Sequence, residues 1–383
     1  MKKDYTRLIV SIFCSFLGLA LLILINCGGG GGSSASSGDV IKMQDLTPDN
    51  YGSIMSVQAV YADSLATKEK ISVEEYWTME RISEAVKHPI NLKAPLDMKL
   101  DISPLDKATQ QIPEGVPGSF PSYNPDAGKD KELINEKLNY QADPPWVSQA
   151  SSNCQASSYQ VNLTQGYQHY PEKTIGILLV KTKEGHAICS ASLIGKNMIL
   201  TAAHCVSSES DGSWYTDFAF APGYSSGANQ TPYGLFRATR ILVYSGWVNN
   251  RYRPADYAIL SLDHEIGNTL GWLSFLFNYA PTGLTWDQWG YPGPPVGDAT
   301  LSTLMMNRSA YGGYYCGESY CLMGTGFGLA PGASGGPWIL WLNNIAYANS
   351  VVSHGDISVC HNAYSPYFDT HAGNLYKAAQ SLQ

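Results

Sequence analysis

From residue 174 onward the chain alternates short apolar runs with clusters of Gly, Pro, Asn and Ser, and this pattern constrains the fold more than any other feature. Short runs rich in β-branched and aromatic residues are typical of strands bounded by turns. The runs are residues 174–180, 187–194, 198–200, 238–244, 257–262, 338–342 and 345–353. Because no helical pattern of about 12 residues alternates with them, an antiparallel barrel or sandwich is favoured over a parallel α/β sheet.

The composition agrees with a domain rich in strands and turns. Charged residues make up 15% of the 383 residues, against roughly 25% in typical soluble domains. The chain also holds 37 glycines, 21 prolines and 25 tyrosines, which suits strands and turns better than long helices. The formal net charge is -8 and there is no dense basic run, so nucleic acid is not expected as a partner.

The N-terminus has the pattern of an export signal. Lys2, Lys3 and Arg7 precede an apolar run over residues 8–25, and a positive head followed by an apolar core is typical of such signals. An uncleaved transmembrane anchor is the alternative, because a run of this length can just span a bilayer.

The end of this segment resembles the bacterial lipobox, whose cysteine is lipidated and becomes the new N-terminus. The sequence Leu-Ile-Asn-Cys ends at Cys27, with Asn26 where Gly, Ala or Ser is usual. Residues 27–38 are rich in Gly and Ser and predict a flexible tether. We therefore expect residues 1–26 to be a lipoprotein-type signal, and the protein to be exported to the bacterial cell envelope as a lipid-anchored protein, or secreted.

Residues 39–160 differ from the rest of the chain. Ser72 and Glu75 form a capping box, and an amphipathic stretch follows it to Val86. Residues 129–140 are a second, charged helix candidate, and prolines interrupt the stretch between the two. We expect a partly helical pro-region or stalk, with an independent binding domain as the alternative.

Three short motifs in the strand-rich part carry the residue types of nucleophilic catalysis. His204 lies in Thr-Ala-Ala-His-Cys, Asp256 opens Asp-Tyr-Ala-Ile-Leu, and Ser334 lies in Gly-Ala-Ser-Gly-Gly-Pro. A serine hydroxyl is a weak nucleophile and needs a base to remove its proton. Histidine can be that base, because its ordinary pKa lies near neutrality, and the imidazolium formed needs an anionic partner. Each motif alone has a structural explanation, but all three together predict a hydrolase.

Together these motifs resemble the chymotrypsin-like (trypsin-like) serine proteases, including the bacterial branch that contains glutamyl endopeptidases. The chain order His, Asp, Ser matches that family and differs from subtilisins and α/β-hydrolases. The resemblance covers residues 161–383 and implies an all-β domain of two antiparallel six-stranded β-barrels. It implies that Ser334 is the nucleophile, His204 the general acid/base and Asp256 its orienting partner, with an acyl-enzyme intermediate and no cofactor or metal.

The resemblance also implies an oxyanion hole and a specificity pocket. The backbone N–H groups of Gly332 and Ser334 are expected to form the hole, and Gly328, six residues before the nucleophile, is expected at the base of the pocket beside Leu329. No Asp or Glu occurs from residue 322 to 333. The carboxylate that would bind a substrate Arg or Lys is therefore missing, and trypsin-like specificity is not expected.

Residues Ser353, His354 and Gly355 match the family's strand that pairs with substrate backbone. His354 replaces the common Trp and keeps specificity for acidic residues open, because glutamyl endopeptidases use a pocket histidine to meet a substrate carboxylate. Cleavage after Glu, after apolar residues or after small residues all remain open.

The cysteines agree with export. Of the eight cysteines, Cys14 lies in the signal and Cys27 is the lipidation candidate. The even number that remains suggests disulfides in an exported protein. No CxxC or HExxH spacing is present, which argues against a metal site.

One disulfide is implied by the resemblance. Cys189 and Cys205 match the family bridge that staples the loop of the catalytic histidine. Four other cysteines allow three connectivities, of which a Cys316–Cys321 hairpin bridge with a Cys154–Cys360 bridge is the hypothesis.

The expected partners are protein or peptide substrates and the membrane, the latter through the N-terminal lipid or anchor, and the protein is expected to be a monomer. The trypsin residue that pairs with a newly cut N-terminus is replaced by Ala333. The pro-region is therefore expected to inhibit by covering the cleft, or to assist folding. The competing function is an inactive protease-fold surface lipoprotein that acts as a binding or adhesion module.

Overall fold

We analysed a computed structural model of the chain. It describes residues 50–61, 71–93, 99–101, 114–118, 157–160, 169–225, 230–293, 304–317, 320–326, 328–329, 331–356 and 362–383. The predicted signal, tether, lipidation site, second helix candidate and Cys154–Cys360 bridge lie outside the described residues. Residues Ile41–Gln383 form one compact unit. Within the described residues, no helix combines the length and apolar character needed to cross a membrane.

Most of the described elements are strands. In chain order they are β1 (Ile54–Gln58), β2 (Leu92–Lys93), β3 (Lys99–Asp101), β4 (Glu114–Val116), β5 (Ser157–Gln160), β6 (Ile175–Lys181), β7 (His186–Leu193), β8 (Met198–Thr201), β9 (Thr216–Pro222), β10 (Phe236–Tyr244), β11 (Ala258–Leu262), β12 (Ser274–Phe277), β13 (Thr285–Gly290), β14 (Met305–Cys316), β15 (Cys321–Thr325), β16 (Pro337–Leu342), β17 (Ile345–Val351), β18 (His354–Asp356) and β19 (Asn362–Ser365). The α-helices are α1 (Val73–Tyr76), α2 (Met79–Ala85), α3 (Ser245–Asn250), α4 (Gly267–Leu270) and α5 (Thr370–Ser381).

The first sheet closes into a barrel. Its order is β1-β10-β11-β8-β7-β6-β9, and β9 also pairs with β10, so that six strands form a ring with β1 outside it. The strands β6, β7, β8 and β11 are buried almost throughout. Closure removes sheet edges and lets continuous apolar runs pack on both faces.

The second sheet contains twelve strands in the order β2-β18-β19-β15-β14-β13-β16-β17-β12-β4, with β3 and β5 paired to β14. Its long centre is the twelve-residue strand β14. Pairing in both sheets is antiparallel except for β12 with β17 and β2 with β18. The closed antiparallel barrel beside a second sheet confirms the predicted all-β, chymotrypsin-like fold class.

Part of the region predicted as a pro-region or stalk belongs to the main core. Strand β1 pairs with β10 over its whole length, from Ile54 opposite Tyr244 to Gln58 opposite Arg240. Trp77 is 2% exposed and its Nε1 donates to the Asp217 carbonyl at 2.7 Å. The capping box at Ser72 starts α1 as predicted. The sequence interpretation missed this packing because the apolar residues are sparse and their partners lie more than 100 residues away.

Candidate active site

His204 and Asp256 are brought together by two neighbouring elements of the first sheet. His204 lies in a short 3₁₀ turn that follows β8, and Asp256 ends another such turn just before β11, the strand that pairs with β8. The His204 backbone N–H donates to Asp256 Oδ1 at 2.8 Å, and His204 Nδ1 lies 2.8 Å from Asp256 Oδ2. Both residues are buried, at 2% and 0% exposure. The carboxylate therefore fixes the backbone and the ring of the same histidine.

Burial raises the pKa of Asp256, but the His204 charge and the hydrogen bonds from His204 and the Ser353 hydroxyl outweigh it, so the net pKa is lowered. Ser353 Oγ donates to Asp256 Oδ2 at 2.5 Å. An ionised carboxylate only accepts hydrogen bonds, so His204 Nδ1 carries a proton and Nε2 keeps its lone pair in the neutral ring. That atom is buried and has no hydrogen-bond partner among the residues that the structure describes.

Ser334 lies in a tight turn whose glycines are required by geometry. Gly332 has φ 98° and Gly335 has φ 81°, in the left-handed region that strains other residues. A Cβ on Gly335 would lie 2.1 Å from Thr201 Oγ and 2.8 Å from the Ala202 N atom. The turn therefore packs directly against the residues that lead into His204.

Two polar residues that the sequence interpretation missed tie this turn to the first sheet. The Ser190 N–H donates to the Ser334 carbonyl at 2.7 Å, and Ser190 Oγ donates to the Gly332 carbonyl at 2.9 Å. Thr201 Oγ in turn donates to the Ser190 carbonyl at 2.9 Å. Both are fully buried. A polar residue inside an otherwise apolar strand was the only sequence signal that could have found them.

Among the predicted substrate-binding residues, His354 is bound into the network of Asp256. It is 3% exposed, and its Nδ1 lies 2.8 Å from Ser353 Oγ. Since the Ser353 hydroxyl proton goes to Asp256, His354 Nδ1 must be the donor in this bond. Burial, together with the positive charge of Arg253, lowers the pKa of His354 to about 3, although Asp256 acts to raise it. His354 is therefore neutral near pH 7.

Gly328 and Leu329 are both buried, and Leu329 is 7% exposed. A Cβ on Gly328 would lie 2.4 Å from the Ala363 Cβ, on β19 beside β18. The two predicted pocket segments are thus connected through β19. Gly355 lies next to His354 on β18.

The structure contains disulfides between Cys189 and Cys205 and between Cys316 and Cys321. One sulfur of each of Cys189 and Cys205 and a ring nitrogen of His204 lie within 4.8 Å of one another. Because the two sulfurs are bonded to each other, they provide no thiolate ligands, and this group is a poor metal site.

The strand-rich part of the chain is similar to known proteins. The family model described as Trypsin matches residues 163–378. An extracellular metalloprotease of Bacillus subtilis is 31% identical over 106 residues, covering 27% of this chain and 33% of that protein. A glutamyl endopeptidase of Bacillus licheniformis is 36% identical over 110 residues, with the same coverage of 27% and 33%. The chain thus spans about a third of the length of these curated relatives.

Among solved structures, a thermostable serine protease from an extremophilic microorganism is 23% identical. That match has a TM-score of 0.49 and covers 55% of this chain and 99% of the other.

Proposed function

Because the chain belongs to the trypsin family of serine proteases, which confirms the resemblance in its motifs, we propose that it is an exported serine endopeptidase. Ser334 is the nucleophile, His204 the general acid/base and Asp256 the group that orients His204. The single observation that carries this proposal is the doubly bonded, buried His204–Asp256 pair with its unpartnered Nε2, beside the turn that bears Ser334.

In the proposed reaction, Nε2 of His204 takes the Ser334 hydroxyl proton while Oγ attacks the carbonyl carbon of the scissile peptide bond. Asp256 offsets the charge of the imidazolium and keeps its ring in place. The backbone N–H groups of Gly332 and Ser334 stabilise the oxyanion, and each such donor is worth about 3 kcal/mol of barrier. His204 then protonates the leaving amine, and water hydrolyses the acyl-enzyme with His204 again as base.

We propose that the enzyme does not cleave after Arg or Lys. No Asp or Glu occurs from residue 322 to 333, and the other predicted pocket residues Ser353, His354 and Gly355 have no carboxylate either. The three candidates are cleavage after Glu, cleavage after apolar residues and cleavage after small residues. A peptide-library digest at pH 7 tests this, and a profile dominated by Arg and Lys would refute it.

A fluorophosphonate probe tests the catalytic residues directly. We expect labelling at Ser334 in the wild-type chain, and its loss in Ser334→Ala and His204→Ala. Ser261→Ala is the matched control, because Ser261 is buried at 7% exposure and its hydroxyl lacks a hydrogen-bond partner in the described part of the chain. Labelling that persists in Ser334→Ala would refute the assignment.

Export is favoured by the similarity to a protease named as extracellular. We propose the lipid anchor at Cys27, peptide or protein substrates, a monomeric state and a pro-region within residues 39–160. Metabolic labelling with a palmitate analogue tests the anchor, with Cys27→Ser as the variant that should lose the label. If no chain reacts with the fluorophosphonate probe, the alternative function, an inactive binding module, is favoured.

A further inference from the structure

The strand β18 is paired along both of its edges. On one edge, His354 and Gly355 pair with Tyr364 and Ala363 of β19. On the other edge, they pair with Leu92 and Lys93 of β2, in parallel. Both edges of the strand that carries His354 are therefore occupied, and the second occupant comes from the region before the protease domain.

The residues just before β2 contact the first sheet. The Ile188 N–H donates to the His88 carbonyl at 3.2 Å, and the Ile90 N–H donates to the Ile188 carbonyl at 2.9 Å. Pro89 thus lies opposite Ile188 on β7. Ile188 is two residues from Ser190, whose N–H donates to the Ser334 carbonyl. This contact is therefore close to the turn that carries the nucleophile.

Residues 88–93, here called the cleft segment, connect these two contacts. From Pro89 to Leu92 an extended chain reaches at most about 11 Å. One contact adjoins the Ser334 turn, and the other adjoins Ser353 and His354, which bond to Asp256 and to each other. The cleft segment therefore crosses between the two sheets where the catalytic groups meet. Its presence fits the low exposure of Ser334, at 4%.

Residues upstream hold the cleft segment in this position. The helix α2 precedes it directly, with Ile82 1% exposed and Ala85 fully buried. Trp77 donates to the Asp217 carbonyl, and the Ile71 carbonyl accepts from Arg237 Nη2 at 2.8 Å. This anchoring keeps the segment at a high effective concentration beside the cleft.

We propose that the cleft segment occupies the place of the substrate and keeps the intact chain inactive, an inference that rests on the proposed function. An extended peptide that adds to the edge of β18 needs the backbone groups that β2 uses. The pairing with β18 is only two residues long and parallel, which is a weak form of strand pairing. Displacement of this short strand, rather than unfolding of the domain, therefore opens the cleft.

A pair of variants in the full chain tests the proposal. Leu92→Asp places a carboxylate at a position that is 1% exposed, and an unpaired buried charge expels the segment. Asn91→Asp adds the same charge at an exposed neighbouring position and is the control. We expect Leu92→Asp to react with the fluorophosphonate about tenfold faster or more, in proportion to the open fraction, and Asn91→Asp to react at the wild-type rate.

Hydrogen exchange and a peptide in trans complete the experiment. The Ile90 amide should lose protection in Leu92→Asp and keep it in Asn91→Asp. A synthetic peptide of residues 87–94 should restore slow labelling of the Leu92→Asp chain, whereas the peptide with Asp at position 92 should not. A chain with residues 88–93 replaced by Gly and Ser serves as the second variant, and it should label as fast as Leu92→Asp.

The outcomes separate the two proposals. If the segment loses protection or is replaced, yet Ser334 labels no faster than in the wild type, cleft occupation is refuted while the enzyme assignment stands. Cleft occupation is also refuted if the wild-type chain already labels as fast as the chain with Gly and Ser at residues 88–93. If Ser334 is unreactive in every chain, the proposed function fails, and the inhibitory role fails with it.

Discussion

The two sheets contribute to the candidate active site in different ways. The first sheet supplies His204 and Asp256, whose side chains are bonded to each other and held by the pairing of β8 with β11. The second sheet supplies Ser334, whose turn is held through the backbone carbonyls of Ser334 and Gly332. The proposed base is therefore oriented by side-chain bonds, whereas the proposed nucleophile is positioned through backbone carbonyls of its turn.

Each sheet also contains a buried carboxylate with a different task. Asp256 bonds to the histidine, while Asp287 in the second sheet accepts from Arg308 Nε at 2.6 Å, Arg308 Nη2 at 2.9 Å and Trp341 Nε1 at 2.8 Å. The comparison teaches that burial and good hydrogen bonding do not identify a catalytic carboxylate. The bonded partner distinguishes the two carboxylates, because Asp256 bonds to a histidine whereas Asp287 bonds to an arginine and a tryptophan.

The largest expected effect comes from Asp256→Asn. The amide N–H₂ group would donate to Nδ1, so that the proton moves to Nε2 and the base is lost. We expect kcat to fall about 10,000-fold with little change in KM. Steady-state kinetics on a peptide substrate measure this effect, with both chains carrying Gly and Ser at residues 88–93 so that the cleft is open.

The matched change in the second sheet is Asp287→Asn. We expect it to lower the free energy of unfolding by about 1–2 kcal/mol, since Arg308 is 41% exposed and water screens the lost ion pair. The kcat per probe-reactive site should stay at the wild-type value. Equal losses of kcat in the two variants would contradict the division of tasks between the sheets.

The pH dependence of stability provides the next effect. The pKa of His354 is lowered from 6.5 to about 3 by burial, so between these values the unfolded chain binds more protons than the folded one. The stability contribution is complete above pH 6.5 and is lost as the pH falls toward 3. At about 1.4 kcal/mol per pKa unit, the full loss is roughly 4–5 kcal/mol.

Thermal unfolding between pH 4 and 7 measures this dependence. In His354→Gln the decline of Tm with falling pH should be shallower than in the wild type. The control is His264→Gln, because the His264 side chain is 70% exposed, and it should leave the decline unchanged. Parallel curves for the wild type and His354→Gln would count against a neutral buried His354.

The two disulfides provide the third comparison. Cys189 and Cys205 are separated by 16 residues, and removing both sulfurs should lower the free energy of unfolding by about 3 kcal/mol. Because Cys205 adjoins His204, we also expect slower labelling of Ser334. Urea denaturation and probe kinetics of the Cys189→Ala/Cys205→Ala chain measure the two effects.

The second disulfide is expected to have a smaller effect than the first. Cys316 and Cys321 are only 5 residues apart, so their removal should cost about 2 kcal/mol. The labelling rate per folded molecule should change less than in the first variant, because neither Cys316 nor Cys321 adjoins a proposed catalytic residue in the chain. If the second pair affects labelling more than the first, the contrast between the two bridges is wrong.

Much of the fold and the candidate residues could be predicted from local patterns. The strand-length runs predicted five of the six strands of the first barrel and missed β9. The three motifs pointed to His204, Asp256 and Ser334. The N-cap at Ser72 was also predicted, because a capping box is a contact between residues three apart. The roles of Ser190 and Thr201 could not be predicted in this way, since each bonds to a group that is distant in the chain.

The sequence by itself determined which chemistry is available, because a hydroxyl, an imidazole and a carboxylate are properties of single residues. It also determined where strands and tight turns form, because apolar runs and glycines act locally. Only the tertiary structure decided that His354 is neutral near pH 7, that Leu92 and Lys93 pair with β18, and that Pro89 lies opposite Ile188 on β7. Burial and strand pairing depend on distant segments meeting, and no local pattern encodes that meeting.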